Sequence, residues 1–353
     1  MPRPSARSLE PLVLGPEGLR ILDQRQLPGT EAWVLATDAA EVAAAIRAMA
    51  VRGAPAIGIA AAYGAVLAAR ICWAEPGPAR PSWDQALAEL GAARPTAVNL
   101  AWALDRMRRV ADQHGLDPRE ALEAEARGIH AEDRAQNVAM ARLGAAYLAA
   151  GSRVLTHCNT GALATGGHGT ALGVVRTAWS EGRIERVYAT ETRPWLQGAR
   201  LTAWELAREG IPVTLVVDSA AAHLIERVGI SWLLVGADRI AANGDVANKV
   251  GTLGLALVAR TLGARVMVVA PSSTVDMATA DGAAIPIEDR GGEEIWRATG
   301  AKAPPAGIAF TNPSFDVTPA RLIDVLVTER GVIEAPDRTR MAALFHTALH
   351  EAD

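Results

Sequence analysis

The chain has 353 residues, 50% of them hydrophobic and 21% charged, with a net charge of -4. That length predicts about two domains with a full hydrophobic core, and the composition excludes a disordered chain. A slightly acidic balance, with Lys and Arg scattered along the chain, argues against nucleic acid or an anionic membrane as the main partner.

Cys72 and Cys158 are the only cysteines, and neither belongs to a Cys-x-x-Cys pair. A reduced, cytoplasmic setting is expected. Arg3 and Arg7 are followed by no apolar core, so no signal peptide is expected. The longest uncharged run, Ala54 to Ala69, falls short of the ~20 apolar residues of a membrane span and reads as a buried helix.

Residues 1–36 carry two short extended pieces, Arg20–Leu22 and Ala32–Leu35, broken by Pro28-Gly29. They predict a small capping sheet. Thr37-Asp38 caps a helix that runs through Met49, and Val51-Arg52-Gly53-Ala54-Pro55 breaks it. Pro55 suits the first turn of the next helix. This places Arg52 and the N–H groups of Gly53 and Ala54 at a helix start, where an anion is favoured. A plain helix corner with a solvated arginine explains the same spacing.

A proline-rich linker, Pro76 to Pro81, leads to a helix from Ser82. Arg94-Pro95 marks a break, with Arg94 held extended by the proline after it. Taken alone, Arg94 reads as a loop arginine. Helices follow over Leu100 to His114, from Asp117-Pro118, and from Ala131 to Ala150, which stops at Gly151. Residues 1–150 thus predict a mainly helical N-terminal domain with a small sheet.

From Arg153 the pattern becomes short β-branched strands alternating with helices. The predicted strands are Arg153–Thr156, Val187–Thr190, Val213–Val217, Trp232–Val235 and Val266–Ala270. Helices begin near Gly169, Ala199, Ser219 and Gly251. The fold class is therefore α/β, with a parallel sheet covered on both faces over residues 151–353. Ligands bind such sheets at the strand exits, and those exits carry Cys158, Glu191 to Gln197, Asp218, Asp238 and Ser272 to Thr274. Right-handed crossovers put these exits on one edge, so Cys158 and Asp238 can face one crevice.

The loop from Thr156 to Gly169 is glycine-rich, and its N–H groups are expected to favour anions. A dinucleotide reading of Gly167-His168-Gly169, with Glu191 as the ribose acid, fails on two counts. Leu172 stands where a third small residue is needed, and the turn is too long. No His/Cys/Asp cluster has metal-ligand spacing, and His157 reads as a packed or hydrogen-bonded histidine. Cys158 is either a small hydrophobe ending a strand or a thiolate activated by the loop. Asp238 follows the apolar Trp232–Gly236, where desolvation would suit a proton donor, or it caps a helix. Lys249 could add a positive charge. A cysteine, a protonatable aspartate and several anion-favouring positions, without metal ligands, predict a cofactor-free isomerase acting on a phosphorylated small molecule.

Several of these stretches together resemble the S-methyl-5-thioribose-1-phosphate isomerase family. They are Arg52–Gly58, Arg94–Leu100, His157–Gly161, Glu191–Pro194 with Leu196–Arg200, Gly236–Arg239, Asn243–Asp245 with Asn248-Lys249, and Asn312–Pro319. The resemblance implies a methionine-salvage enzyme, a homodimer without nucleotide cofactor, with a Rossmann-like C-terminal domain. It implies Cys158 and Asp238 as the catalytic pair, Asp238 being the proton donor. Arg52, Gly53, Ala54, Arg94, Gln197, Asn248 and Lys249 would contact the sugar phosphate. His168 stands where the family more often has tyrosine. Ribose-1,5-bisphosphate isomerase, a 5-deoxyribose-1-phosphate substrate and a non-catalytic homologue resembling regulatory subunits of the translation initiation exchange factor are the alternatives.

Overall fold

The computed structural model describes residues 9–74, 79–95, 97–297, 300 and 303–346. The chain divides into two compact units, one of residues 7–138 with 160–169 and one of residues 139–159 with 170–353.

The helical unit opens with an antiparallel sheet of β1 (Leu12–Leu14), β2 (Leu19–Leu22) and β3 (Trp33–Ala36). Leu12, Leu14, Leu19 and Ile21 bury one face of it. Asp38 then caps α1 (Ala39–Arg47), its carboxylate accepting from the Glu41 amide. α2 (Ala54–Cys72) has Pro55 in its first turn, as expected. It is long and apolar enough to cross a membrane, yet every residue from Ala56 to Ala69 is buried in the core of this unit. Its small residues make that possible. A Cβ on Gly58 would stand 2.7 Å from the Asn99 carbonyl oxygen, and one on Gly64 2.9 Å from Leu90.

α3 (Ala79–Ala92) and α4 (Val98–His114) pack against α2. Pro81 lies inside the first turn of α3 and not in a linker, because a first-turn proline loses no helical hydrogen bond. Residues 76–78 of the expected linker lie outside the described residues, as do Arg3 and Arg7. The two helices expected after Asp117 are one, α5 (Arg119–Ala145). Nothing between them, neither proline nor a glycine in left-handed conformation, breaks it. Cys72 packs at the edge of this core, and burial pushes its thiol pKa up.

In the second unit the parallel strands lie close to their expected positions: β4 (Ser152–Thr156), β5 (Ile184–Thr190), β6 (Val213–Val216), β7 (Trp232–Val235) and, further on, β10 (Arg265–Val269). Between them run α6 (Ala171–Ser180), α7 (Ala203–Arg208), α8 (Ala221–Val228) and α9 (Thr252–Thr261). A hairpin of β8 (Arg239–Ala241) and β9 (Val246–Lys249) is not legible as strands in the sequence. Each is too short to show alternation, although the Asn243-Gly244-Asp245 turn between them is plain. β11 (Val275–Asp276) and β12 (Phe315–Thr318), separated by the short α10 (Glu293–Arg297), complete a four-stranded mixed sheet with that hairpin. The chain closes with β13 (Val325–Thr328), β14 (Gly331–Glu334) and α11 (Arg338–His346).

The seven-stranded sheet has the order β14-β13-β10-β7-β4-β5-β6, and only its β13–β14 pair is antiparallel. Alternate residues of each strand serve opposite faces. Leu155, Leu233, Val235, Val266 and Val268 pack with residues of α8, α9 and α11. Val154, Trp232, Leu234, Met267 and Val269 pack with α6, α7 and the end of α5. Both faces are covered, as such a sheet requires.

Candidate active site

Cys158 follows β4 with φ +64°, a left-handed conformation rare for a residue with a side chain. Hydrogen bonds hold it from both sides. Its amide donates to Thr192 Oγ1 at 2.8 Å, and its carbonyl accepts from Thr202 Oγ1 at 2.6 Å. Next to it, Asn159 donates to Glu205 Oε1 at 2.8 Å. Glu205 in turn sits in a buried cluster with Arg176, 2.7 Å away, which also binds Glu209. The two carboxylates push the Arg176 pKa above the usual arginine range despite its burial. The preceding His157 is buried, and burial pushes its pKa down. It is hydrogen-bonded on both nitrogens, as a packed structural histidine would be.

The exit of β5 is equally constrained. Thr192 has φ +62°, and Asp218 accepts from the amides of Thr192 and Arg193, each at 2.7 Å. Leu196 is also left-handed, at +64°. A π-helical turn over Gly198–Thr202 leads into α7, a distortion found often at functional sites. Gln197 precedes it, 4% exposed, and its Oε1 is buried with no hydrogen-bond partner among the described residues. A buried amide oxygen without a donor is costly unless a ligand supplies one.

Asp238 lies between β7 and β8, half-buried, and does not cap a helix. Its amide donates to the Ala247 carbonyl, so it stands beside the strand that ends in Asn248 and Lys249. Both of those side chains are buried. Asn248 donates to Thr252 Oγ1 at 3.0 Å, and Lys249 Nζ to the Ser314 carbonyl at 2.8 Å, while lying 4.7 Å from the Phe315 ring centroid. Asp316 accepts from the Gly251 and Leu253 amides and so caps α9. Burial nevertheless pushes its carboxyl pKa up. β4 and β7 are neighbours, with Thr156 opposite Leu234. Cys158, Gln197, Asp238, Asn248 and Lys249 all belong to one unit, each at or after the end of a strand.

Arg52, Gly53, Ala54 and Arg94 belong to the helical unit. Arg52 is 7% exposed and ends at the start of α2, which has no acidic residue in its first turn. Gly53 has φ +99°, and a Cβ there would stand 2.6 Å from the α-carbon of Ala164. Only glycine fits. Arg94 is half-buried, its carbonyl accepting from the Ala97 amide; Thr96 lies outside the described residues.

The glycine loop corrects one expectation. Its amides are not an open anion cradle. Gly166 donates to Asp133 Oδ2 at 2.6 Å, and Gly167 and Gly169 donate to Thr165 Oγ1 at 3.3 and 3.1 Å. His130 fastens the same loop through the Gly166 carbonyl at 2.7 Å. The loop is tied down by side chains, which removes those donors from ligand binding.

Residues 50–335 match the initiation factor 2 subunit family. The chain belongs to that family. A relative from Pseudomonas fluorescens, called methylthioribose-1-phosphate isomerase, is 59% identical over 336 residues, covering 92% of each chain. The structure is similar to that of 5-methylthioribose 1-phosphate isomerase from Pyrococcus horikoshii, with a TM-score of 0.90, 38% identity and 97% coverage of both chains. It is also similar to a structure described as translation initiation factor eIF-2B, subunit delta, from A. fulgidus. There the TM-score is 0.84, with 37% identity over 96% of this chain and 99% of that one.

The sequence points to candidate reacting side chains but not to what holds them. Thr192 and Thr202, which fix Cys158, and Asp316, which caps α9, do not stand out in it. Thr192 and Asp316 lie in the Glu191–Pro194 and Asn312–Pro319 stretches, and that company is the available signal. Among the described residues no group of three or more His, Cys, Asp or Glu could hold a metal ion.

Proposed function

We propose that this family member is an aldose–ketose isomerase of methionine salvage, converting S-methyl-5-thio-α-D-ribose 1-phosphate to S-methyl-5-thio-D-ribulose 1-phosphate. The observation that carries this reading is the 59% identity over nearly the whole chain to a methylthioribose-1-phosphate isomerase. Cys158 and Asp238 at one sheet edge fit the chemistry.

In this substrate the phosphate occupies the anomeric carbon, so the ring cannot open as a free sugar's does. In our reading Asp238 gives a proton to the ring oxygen. Hydrogen then passes from carbon 2 to carbon 1 and the carbon-2 hydroxyl gives up its proton, leaving a ketone at carbon 2; that proton replaces the one Asp238 gave. Two routes satisfy the balance: a hydride shift, or a proton transfer through an enediol with Cys158 as base. Arg52, Arg94 and Lys249, with the Gly53 and Ala54 amides, would hold the phosphate dianion. Gln197 and Asn248 would take sugar hydroxyls. Support for Gln197 is its buried, unpartnered Oε1. We also read the seven-stranded sheet as Rossmann-like and the protein as a cytoplasmic homodimer; light scattering after size exclusion tests the latter.

The decisive experiment is ketose formation from methylthioribose 1-phosphate, followed by proton NMR in deuterated water. Turnover that Cys158→Ser and Asp238→Asn each abolish, with folding intact, is the expected result. Deuterium at carbon 1 selects the enediol, and product without it fits the hydride route or a base shielded from solvent. No product from the wild type overturns the reading.

A further inference from the structure

We propose that Thr192, Thr190 and His157 are positioning residues for Cys158, acting through one directed chain of hydrogen bonds that ends at Val250. The inference deepens the proposed function and rests on its assignment of Cys158.

The direction of the chain follows from its far end. His157 Nε2 lies 2.9 Å from the Val250 carbonyl oxygen, which can only accept, so Nε2 carries the hydrogen. The ring is buried, which favours its neutral form. Nδ1 therefore accepts, and its partner at 2.7 Å is Thr190 Oγ1, which must donate. With its hydrogen spent, Thr190 Oγ1 is left to accept, and Thr192 Oγ1 is 3.0 Å away. Thr192 Oγ1 in turn accepts from the Cys158 amide at 2.8 Å. The Thr192 hydroxyl also lies 3.3 Å from the Thr190 carbonyl oxygen and 3.5 Å from His157 Nδ1, so wherever it donates, its hydrogen stays among these three residues.

Three features give this chain a purpose beyond satisfying buried groups. It terminates on the amide of a residue in left-handed conformation, which needs outside support to persist. Thr192 is itself left-handed and β-branched, so it too is held against its preference. The other terminus, Val250, directly follows Asn248-Lys249. The chain thus spans three strand exits: that of β4 with Cys158, that of β5 with the threonines, and that of β9 with the lysine. Loss of the Thr192 hydroxyl takes the acceptor from the Cys158 amide and leaves its backbone held by the Thr202 bond to its carbonyl.

Thr192→Val removes the acceptor while keeping the shape, and Thr192→Ser keeps the hydroxyl. The expected result is a fall in kcat of about 100-fold for Thr192→Val with KM little changed, and recovery of most of it in Thr192→Ser. A kcat for Thr192→Val equal to wild type, or an equal fall in both variants, overturns the proposal. Nitrogen-15 NMR of the wild type keeps it testable should Thr192→Val not fold. A single neutral tautomer with hydrogen on Nε2 of His157 is required, and hydrogen on Nδ1 overturns it. Failure of the enzymatic assignment is separable, because alkylation of Cys158 by iodoacetamide, read by peptide mass spectrometry, needs no turnover. There a rate altered in Thr192→Val and restored in Thr192→Ser supports the positioning role, and a rate unchanged in Thr192→Val counts against it.

Discussion

Gly198 rides on the carbonyl of Thr190 so closely that a Cβ there would stand 1.7 Å from the oxygen. The obstacle is backbone at the end of a central strand pair, so it cannot swing aside. Gly198→Ala should therefore cost about 3 kcal/mol or more, or else displace the turn and Gln197 with it. Thermal unfolding measures the first outcome. A raised KM at near-native melting temperature would report the second.

Gly53 combines a left-handed backbone with a contact to Ala164. Gly53→Ala should destabilise the protein by roughly 3 kcal/mol and shift the amides at the start of α2. If those amides take the phosphate, KM rises in Gly53→Ala more than in an α2 substitution remote from the helix start. Steady-state kinetics with the sugar 1-phosphate decides it.

His130 and His157 are both buried, and burial lowers the pKa of each below the usual histidine value. The unfolded chain then takes up protons that the native protein refuses. Stability from these groups is complete above the unfolded pKa of ~6.5 and is lost as pH falls from there toward the depressed native values. Denaturant midpoints measured from pH 8 to pH 5, conditions chosen to bracket ~6.5, should drop on the acid side. In His130→Gln the slope below that pH should lessen.

Arg176 neutralises Glu205 and Glu209 inside the fold. Arg176→Met strands two buried carboxylates and should cost about 3–5 kcal/mol. Since Glu205 also anchors Asn159 beside Cys158, kcat should fall as well. A double variant, Arg176→Met with Glu205→Gln, should regain part of the stability lost, measurable by chemical unfolding.

Five of the parallel strands, β4, β5, β6, β7 and β10, are legible because each is a run of β-branched and apolar residues between turn signals. β13, parallel to β10, is not among the expected strands. β8, β9, β11 and β12 are not legible, because each is short and carries a charged residue, Arg239, Lys249, Asp276 and Asp316 respectively, so none forms an unbroken apolar run. α5 reads as two helices because its polar, alanine-rich middle shows a weak stripe, while tertiary packing carries the helix through. The residues of the proposed site, Cys158, Asp238, Arg52 and Lys249, are named by the sequence through their chemistry. The supporting shell is not. Thr165 capturing the amides of Gly167 and Gly169, or Thr192 reaching back to Cys158, are long-range or hydroxyl contacts to which any threonine is a candidate.

The left-handed backbone at Cys158 sets this residue at odds with the rest of the chain. Glycine would relax there at no steric expense, so Cys158→Gly should raise the melting temperature even as it removes the thiol. Activity and robustness then pull in opposite directions at one codon. With Cys158 as the proposed catalytic thiol, any search for hardier variants that screens by heat alone is expected to be drawn to position 158 and to return a sturdier protein without that thiol.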